Sequence, residues 1–146
     1  MLENLRWLDE LPNLPRSVRV FLIAAFHLIV FAGSFVGAFA IRFDFQVPTS
    51  FQSAMWSLLP VVLVLKISVF MVMGMFRGWW RYVSLHDIIA LTQASALASG
   101  GVVMVNVFVM NPEVFPRSVY IIDFGLTFLG LASARGSLRL MRETIR

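Results

Sequence analysis

Four long apolar stretches limit the folds that this chain can adopt. They lie at about residues 20–41, 53–76, 88–110 and 118–138. About 20 apolar residues in a helix cross the hydrocarbon core of a bilayer, which is about 30 Å thick. Of the 146 residues, 59% are hydrophobic and 14% are charged, which leaves too little polar surface to cover a water-soluble globule. The sequence therefore predicts an all-α, polytopic membrane protein with a bundle of four transmembrane helices.

Residues 1–19 precede the first apolar stretch and have an amphipathic pattern. Leucines recur there near helical spacing among acidic and polar residues, and Pro12 and Pro15 end the pattern. We expect a short interfacial amphipathic helix at the headgroup level, with a frayed polar tail as the alternative. The first apolar stretch is too long for the hydrophobic region of a signal peptide, which has about 7–15 residues. We interpret it as a retained helix.

The basic residues are distributed unevenly between the two sides of a four-span arrangement. Arg42 and Arg117 fall on one side, and Lys66 lies within the second stretch. The other side carries Arg6, Arg16, Arg19, Arg77, Arg81, Arg135, Arg139, Arg142 and Arg146. Because basic residues accumulate in the cytoplasm-facing segments of membrane proteins, we expect both termini to be cytoplasmic. This distribution explains the formal net charge of +4 better than nucleic-acid binding does.

Lys66 is the costliest residue in the apolar stretches, because an unpaired charge at membrane depth costs at least about 2.5–3.5 kcal/mol. It is expected to pair with a carboxylate, face a polar cavity or bind an anionic lipid group, with snorkelling as the alternative. Asp123 enters the outer end of the fourth stretch. With Arg42, Asp44 and Arg117 it is predicted to form an ion-pair network at the outer rim that extends towards Lys66. Interfacial pairing is favoured there over a ligand site.

The turn after the second stretch is the most distinctive segment of the chain. Its basic and aromatic residues are Arg77, Trp79, Trp80, Arg81 and Tyr82. Arginines interleaved with aromatic rings are suited to lipid phosphates and the headgroup interface. A docking surface for a cytoplasmic domain is an equally good interpretation, whereas nucleic acid is not, because the segment is short and held at the membrane.

Catalytic chemistry has little support in the sequence. The chain has no cysteine and two histidines, His27 and His86, which excludes thiol catalysis and disfavours a zinc or haem site. None of the common catalytic or nucleotide-binding motifs occurs. We therefore expect no catalytic, cofactor or metal site in this chain. For His27 we expect a hydrogen bond to a neighbouring helix in preference to a proton relay.

Small residues recur four positions apart in the first and third stretches. The pairs are Gly33/Gly37, Ala94/Ala98 and Ser95/Ser99. Small residues let transmembrane helices approach closely. We expect a homo-oligomer formed through the Gly33/Gly37 or the Ala94/Ala98 face, with the general abundance of small residues in membrane helices as the alternative.

Three segments have a distinctive order and spacing. They are Arg42-Phe43-Asp44-Phe45; Lys66 followed by Phe76-Arg77-Gly78-Trp79-Trp80-Arg81-Tyr82-Val83-Ser84-Leu85-His86-Asp87; and Phe115-Pro116-Arg117-Ser118 followed by Ile122-Asp123. Together they resemble the N-terminal membrane region of the CapD-like polysaccharide biosynthesis proteins. That family consists of membrane-anchored nucleoside-diphosphate-sugar 4,6-dehydratases and epimerases of bacterial surface-glycan pathways. The resemblance implies a bacterial inner-membrane anchor.

The resemblance also implies a cytoplasmic domain in cis that binds NAD(P) and carries the catalytic residues. That domain would begin near residues 142–146, so the chain is expected to be an excised membrane domain or a stand-alone product. Related four-helix regions precede the initiating sugar-phosphate transferases. The alternative function is therefore a module that binds polyprenyl phosphate or another lipid through Lys66 and the Arg77–Tyr82 turn. A small transporter or channel is disfavoured, because few polar groups lie at depth.

Overall fold

Four helices make up nearly all of the residues that the computed structural model describes, namely 15–76, 85–109 and 116–145. They are α1 (Arg16–Arg42), α2 (Thr49–Val72), α3 (Leu85–Val109) and α4 (Arg117–Ile145). All four are long and apolar enough to cross a membrane, and the described residues contain no strand. The predicted all-α, multi-pass bundle of four helices is thereby confirmed.

The predicted interfacial segment, residues 1–19, lies mostly outside the described residues. Pro15 precedes α1 with φ −50° and ψ 142°, an extended conformation from which a helix starts readily. The helix then begins at Arg16. Residues 16–19 therefore belong to the first membrane helix, which extends about one turn further towards the N-terminus than the predicted stretch.

The second helix is shifted from its predicted position at 53–76. It spans Thr49–Val72, because Pro48 precedes it and the carbonyl of this proline accepts the first hydrogen bonds of the helix. Gly74 adopts φ +70°, and the backbone N–H of the residue after it donates to the carbonyl of Phe70 at 3.0 Å. This is a Schellman motif, which ends a helix at a left-handed residue. Apolar residues beyond the motif had made the stretch look longer.

The α1–α2 turn contains two consecutive residues in the left-handed region. Asp44 has φ 50° and Phe45 has φ 61°, and the N–H of Phe45 donates to the carbonyl of Ala40 at 2.7 Å. Asp tolerates this region because its short side chain bonds locally, whereas a bulky aromatic residue is rarely found there. Phe45 is 82% exposed, so packing against the described residues does not explain the conformation.

The helices form a ring in which each one packs against its neighbours in sequence. The first and last close the ring, and the α1–α4 interface is the most extensive of all. Two glycines permit this close approach from opposite sides. A Cβ atom on Gly37 would lie 3.3 Å from Leu126, and one on Gly130 would lie 3.1 Å from Val30. In this ring α2 and α4 stand opposite each other.

The core consists of two apolar layers. The upper layer lies towards the α1–α2 turn and is built around Phe35, Ala38, Phe39, Met55, Leu58, Val62, Val102, Val119 and Tyr120. The lower layer lies towards the first turn of α1 and contains Phe31, Phe70, Leu91, Ala94, Ala98 and Leu131. On α1, α2 and α4 a gap of polar positions separates the two layers. The candidate site lies in this gap.

Of the two faces predicted for self-association, one is used inside the bundle and the other is used in part. Ala94 and Ala98 are fully buried in the lower layer, and Gly37 packs against α4. Gly33, by contrast, is exposed, with open space above it. The Ala94/Ala98 face therefore holds α3 within the bundle and is not available to a second chain.

Candidate functional site: a buried polar cluster between two apolar layers

An ion pair joins the two opposite helices of the ring. Lys66 of α2 places its Nζ atom 2.6 Å from Oδ1 of Asp123 on α4. Both side chains are buried, with 0% and 2% of their surface exposed. Because Lys66 points into the bundle, snorkelling to the interface is ruled out. The carboxylate partner is the first of the three expectations for this lysine.

The ammonium group of Lys66 has a partner for each of its three hydrogens. Besides Asp123, it donates to Oγ1 of Thr127 at 2.9 Å and to Oγ of Ser34 at 3.2 Å. A lysine ammonium has three donors and no acceptor, so its hydrogen-bonding capacity is filled. The ring of Phe31 lies 5.5 Å from Nζ, within the range of a cation–π contact.

The two hydroxyl groups connect the lysine to the carboxylate by a second route. Oγ1 of Thr127 donates to Oγ of Ser34 at 2.8 Å. Ser34 lies 3.0 Å both from Oδ1 of Asp123 and from the carbonyl of Phe31; its single hydrogen serves one acceptor at a time. The four side chains thus form a closed network around an electrically neutral pair.

Helical spacing explains why these residues meet. On α2 the buried positions recur every three or four residues: Met55, Leu58, Val62, Lys66 and Phe70. Lys66 therefore occupies a core position of an otherwise apolar stripe. On α4, Asp123 and Thr127 are four residues apart and so lie on one face. On α1, Ser34 belongs to the buried stripe that also contains Phe31 and Phe35.

The cluster can hold helices together through hydrogen bonds and an ion pair. A low-polarity interior strengthens each of these hydrogen bonds and makes an unpaired member costly. Lys66 has no ammonium hydrogen left for a lipid phosphate, and its surface is inaccessible. The arrangement therefore couples α1, α2 and α4 through polar contacts between two apolar layers.

The predicted network at the outer rim does not form among the described residues. Arg42, Asp44 and Arg117 are exposed, whereas Asp123 is buried and bonded to Lys66. Asp123 lies about 9 Å along α4 from Arg117, deep enough for its carboxylate to reach the core. Its expected connection to Lys66 is present, but the connection to the rim is not.

The aromatic and basic turn falls outside the described residues. Arg77, Trp79, Trp80 and Arg81 all lie within the gap at 77–84. The interpretations of this turn as a headgroup contact or a docking surface stay predictions.

Ser34 and Thr127 were not singled out from the sequence. Thr127 had a usable signal, because it follows Asp123 by four residues and so shares its helix face. Ser34 had none, since serines in membrane helices commonly bond to their own backbone. A second buried polar pair, in which the amide of Asn106 on α3 donates to the hydroxyl of Tyr120 on α4, was also missed.

His27 lies in the lower half of the bundle and is fully buried. Its Nδ1–H donates to the carbonyl of Ile23 on the same helix, at 2.7 Å. Four phenylalanine rings, those of Phe26, Phe31, Phe70 and Phe76, lie with their centroids 4.9–6.0 Å from the imidazole. An aromatic enclosure of this kind packs the lower layer of the core.

A shallow surface cleft lies between α2 and α3, and its lining is apolar: Leu58, Val61, Val62, Leu65, Val102 and Val105. Among the described residues no group of three His, Cys, Asp or Glu side chains is placed to hold a metal ion. The cleft offers no polar group to orient a substrate, so the polar cluster is the stronger candidate for a functional role.

Compared with known proteins, the chain matches no protein-family model, no curated protein and no solved structure.

Proposed function

We propose that this chain is the membrane-anchor and assembly domain of a bacterial surface-polysaccharide biosynthesis protein. In this proposal it lies in the inner membrane with both termini in the cytoplasm. There it holds a nucleotide-sugar 4,6-dehydratase/epimerase domain at the membrane face, close to the lipid-linked acceptors of the pathway. The NAD(P) of such an enzyme would bind that cytoplasmic domain and not these helices.

The observation that carries this proposal is the contact between Lys66 and Asp123. The two residues belong to different segments of the family resemblance, and both are buried inside the bundle. Their 2.6 Å ion pair joins two helices of the bundle that the proposal treats as an anchor. A domain that only anchors needs its costly buried charges to be paired within the bundle, and this pair meets that need.

The closed character of the cluster favours anchoring over transport. A transport path needs charged or polar groups that exchange partners with a moving solute. Here the ammonium of Lys66 is bonded to three fixed side chains of the bundle. The polar groups stabilise the packing of the helices, as an anchor requires.

Reporter fusions test the orientation that the proposal needs. Green fluorescent protein fused after residue 146 is expected to fluoresce, and alkaline phosphatase at that position is expected to be inactive. Fusions after Gln46, in the α1–α2 turn, serve as the matched control and should give the opposite pair of results. Active phosphatase after residue 146 would refute a cytoplasmic C-terminus and with it the anchoring of a cytoplasmic enzyme.

The mass of the product of the native gene in its own host tests the second half of the proposal. A product much larger than the 16.5 kDa of this chain, with bound NAD(P) and dehydratase or epimerase activity, is the expected result. A product near 16.5 kDa that co-purifies with no such enzyme would contradict the proposal.

A further inference from the structure

Helix α3 carries a polar side chain on its lipid-facing side. Gln93 lies within the span His86–Phe108, about 10 Å from the near end of that span. The residue is exposed on the surface of the bundle. No hydrogen bond joins its carboxamide to the described residues, although one carboxamide carries two donors and an acceptor oxygen.

Four polar side chains on the lipid-facing surface satisfy themselves locally. The hydroxyls of Ser57, Ser68, Thr92 and Ser137 each donate to the carbonyl four residues earlier, at 2.5–2.8 Å. These bonds leave no donor hydrogen facing lipid. Gln93 makes no such bond, and an unbonded amide in hydrocarbon carries a large desolvation penalty. Its environment therefore calls for a partner beyond the described residues.

The surface next to Gln93 is shaped for close approach of another helix. Ala96 and Gly100 are exposed on the same side of α3, and a Cβ atom on Gly100 would meet nothing within 4 Å. Ile89 and Met104, which are 55% and 60% exposed, extend this side in the two directions along the helix. The outward small pair of α3 is thus Ala96/Gly100, in contrast to the buried Ala94/Ala98.

We propose that the Gln93/Ala96/Gly100 face of α3 binds the same face of a second copy of this chain. A carboxamide is self-complementary, because the N–H of one can bond the oxygen of another in both directions. A second copy inserted with the same topology brings its own Gln93 to the same depth, as a two-fold, isologous contact requires. The small residues let the two backbones come close enough for the amides to bond.

Oxidative cross-linking in membranes tests this face directly, since the natural chain has no cysteine. Ala96→Cys, which keeps Gln93 intact, is expected to give a disulfide-linked dimer. Ile29→Cys on α1 and Val64→Cys on α2 are the matched controls, because their native side chains are 71% and 67% exposed on other sides of the bundle. Equal cross-linking at all three positions, or cross-linking of Ala96→Cys only to a different protein, would overturn the proposal.

The strength of association gives a second test. Gln93→Leu is expected to raise the dissociation constant of the dimer in lipid vesicles by roughly three- to twenty-fold, the range for one or two interhelical hydrogen bonds. Gly100→Leu should weaken it further, because the side chain fills the contact. Both changes lie on the outside of the bundle, so the thermal unfolding of the monomer in detergent should not change. If both variants keep the dissociation constant of the parent protein, the proposal fails.

Discussion

Lys66 and Asp123 illustrate how a buried ion pair differs from two separate charges. Removing both ions from water costs several kcal/mol each, and their attraction offsets this only when the geometry is good and the remaining donors are bonded. In this bundle both conditions are met, since the two atoms are 2.6 Å apart and the other two ammonium hydrogens bond to Thr127 and Ser34. The pair is therefore stable as a unit, and either member alone is not.

A double-mutant cycle measures this dependence. Lys66→Met and Asp123→Leu should each lower the free energy of unfolding by about 3–5 kcal/mol, because each leaves a buried charge unpaired. The double variant should recover most of that loss, since no charge remains in the core. Unfolding by sodium dodecyl sulfate in mixed micelles is the measurement, with Ser34→Ala, expected to cost about 1 kcal/mol, as the control. A double variant whose loss equals the sum of the single losses would contradict this account.

Phe45 offers a residue-scale test of backbone strain. Its φ of 61° costs an aromatic residue about 1 kcal/mol and a glycine almost nothing. We expect Phe45→Gly to raise the free energy of unfolding by up to about 1 kcal/mol. Gln46→Gly in the same turn is the control and should lower stability, because Gln46 does not occupy the left-handed region. A loss of stability in Phe45→Gly would contradict a strained backbone at this position.

Some of these residues were predictable from the sequence, for a physical reason. A lysine at membrane depth requires a partner, and Asp123 was the acidic residue closest to the same depth, so their connection followed from the cost of leaving Lys66 alone. The rim residues Arg42, Asp44 and Arg117 carried no such requirement, because water reaches them. Their predicted convergence with Asp123 was wrong for that reason.

At the scale of elements, the sequence of α3 could not tell its inner side from its outer side. Apolar and small residues surround the whole helix, so Ala94/Ala98 and Ala96/Gly100 are equivalent as patterns. The contacts of α3 with α2 and α4 decide which pair is buried, and those contacts depend on the packing of the whole bundle. The end of α2 was predictable in principle, since Gly74 followed by further apolar residues is compatible with a Schellman motif.

A substitution at Gly130 tests the close packing of α1 against α4. A leucine at position 130 would place its Cβ atom 3.1 Å from Cγ1 of Val30, and the rest of its side chain would crowd the interface further. Gly130→Leu should therefore destabilise the bundle by about 1–3 kcal/mol, the usual range for overpacking. Gly33→Leu on α1 is the matched control, because the space above Gly33 is open. Equal stability of the two variants in micelles would mean that α1 and α4 do not approach as closely as described.

At the scale of the whole molecule, the polar cluster determines how the helices are aligned along their axes. Apolar layers are tolerant, because one phenylalanine or leucine contact can be exchanged for another when a helix slides. A network of three helices with specific hydrogen bonds has no such freedom. Sliding α4 by one turn would break the arrangement in which Nζ of Lys66 bonds to Asp123 and Thr127 together.

The distance between the ion-pair partners along the chain has a consequence for how the protein is made. Lys66 and Asp123 are 57 residues apart, which a ribosome covers in about 3–11 s at 5–20 residues per second. Throughout that interval Lys66 has been synthesised and its partner Asp123 has not. If this helix entered the lipid alone, Lys66 would carry an unpaired charge there. The second and fourth helices are therefore expected to leave the insertion machinery together, as one unit of assembly.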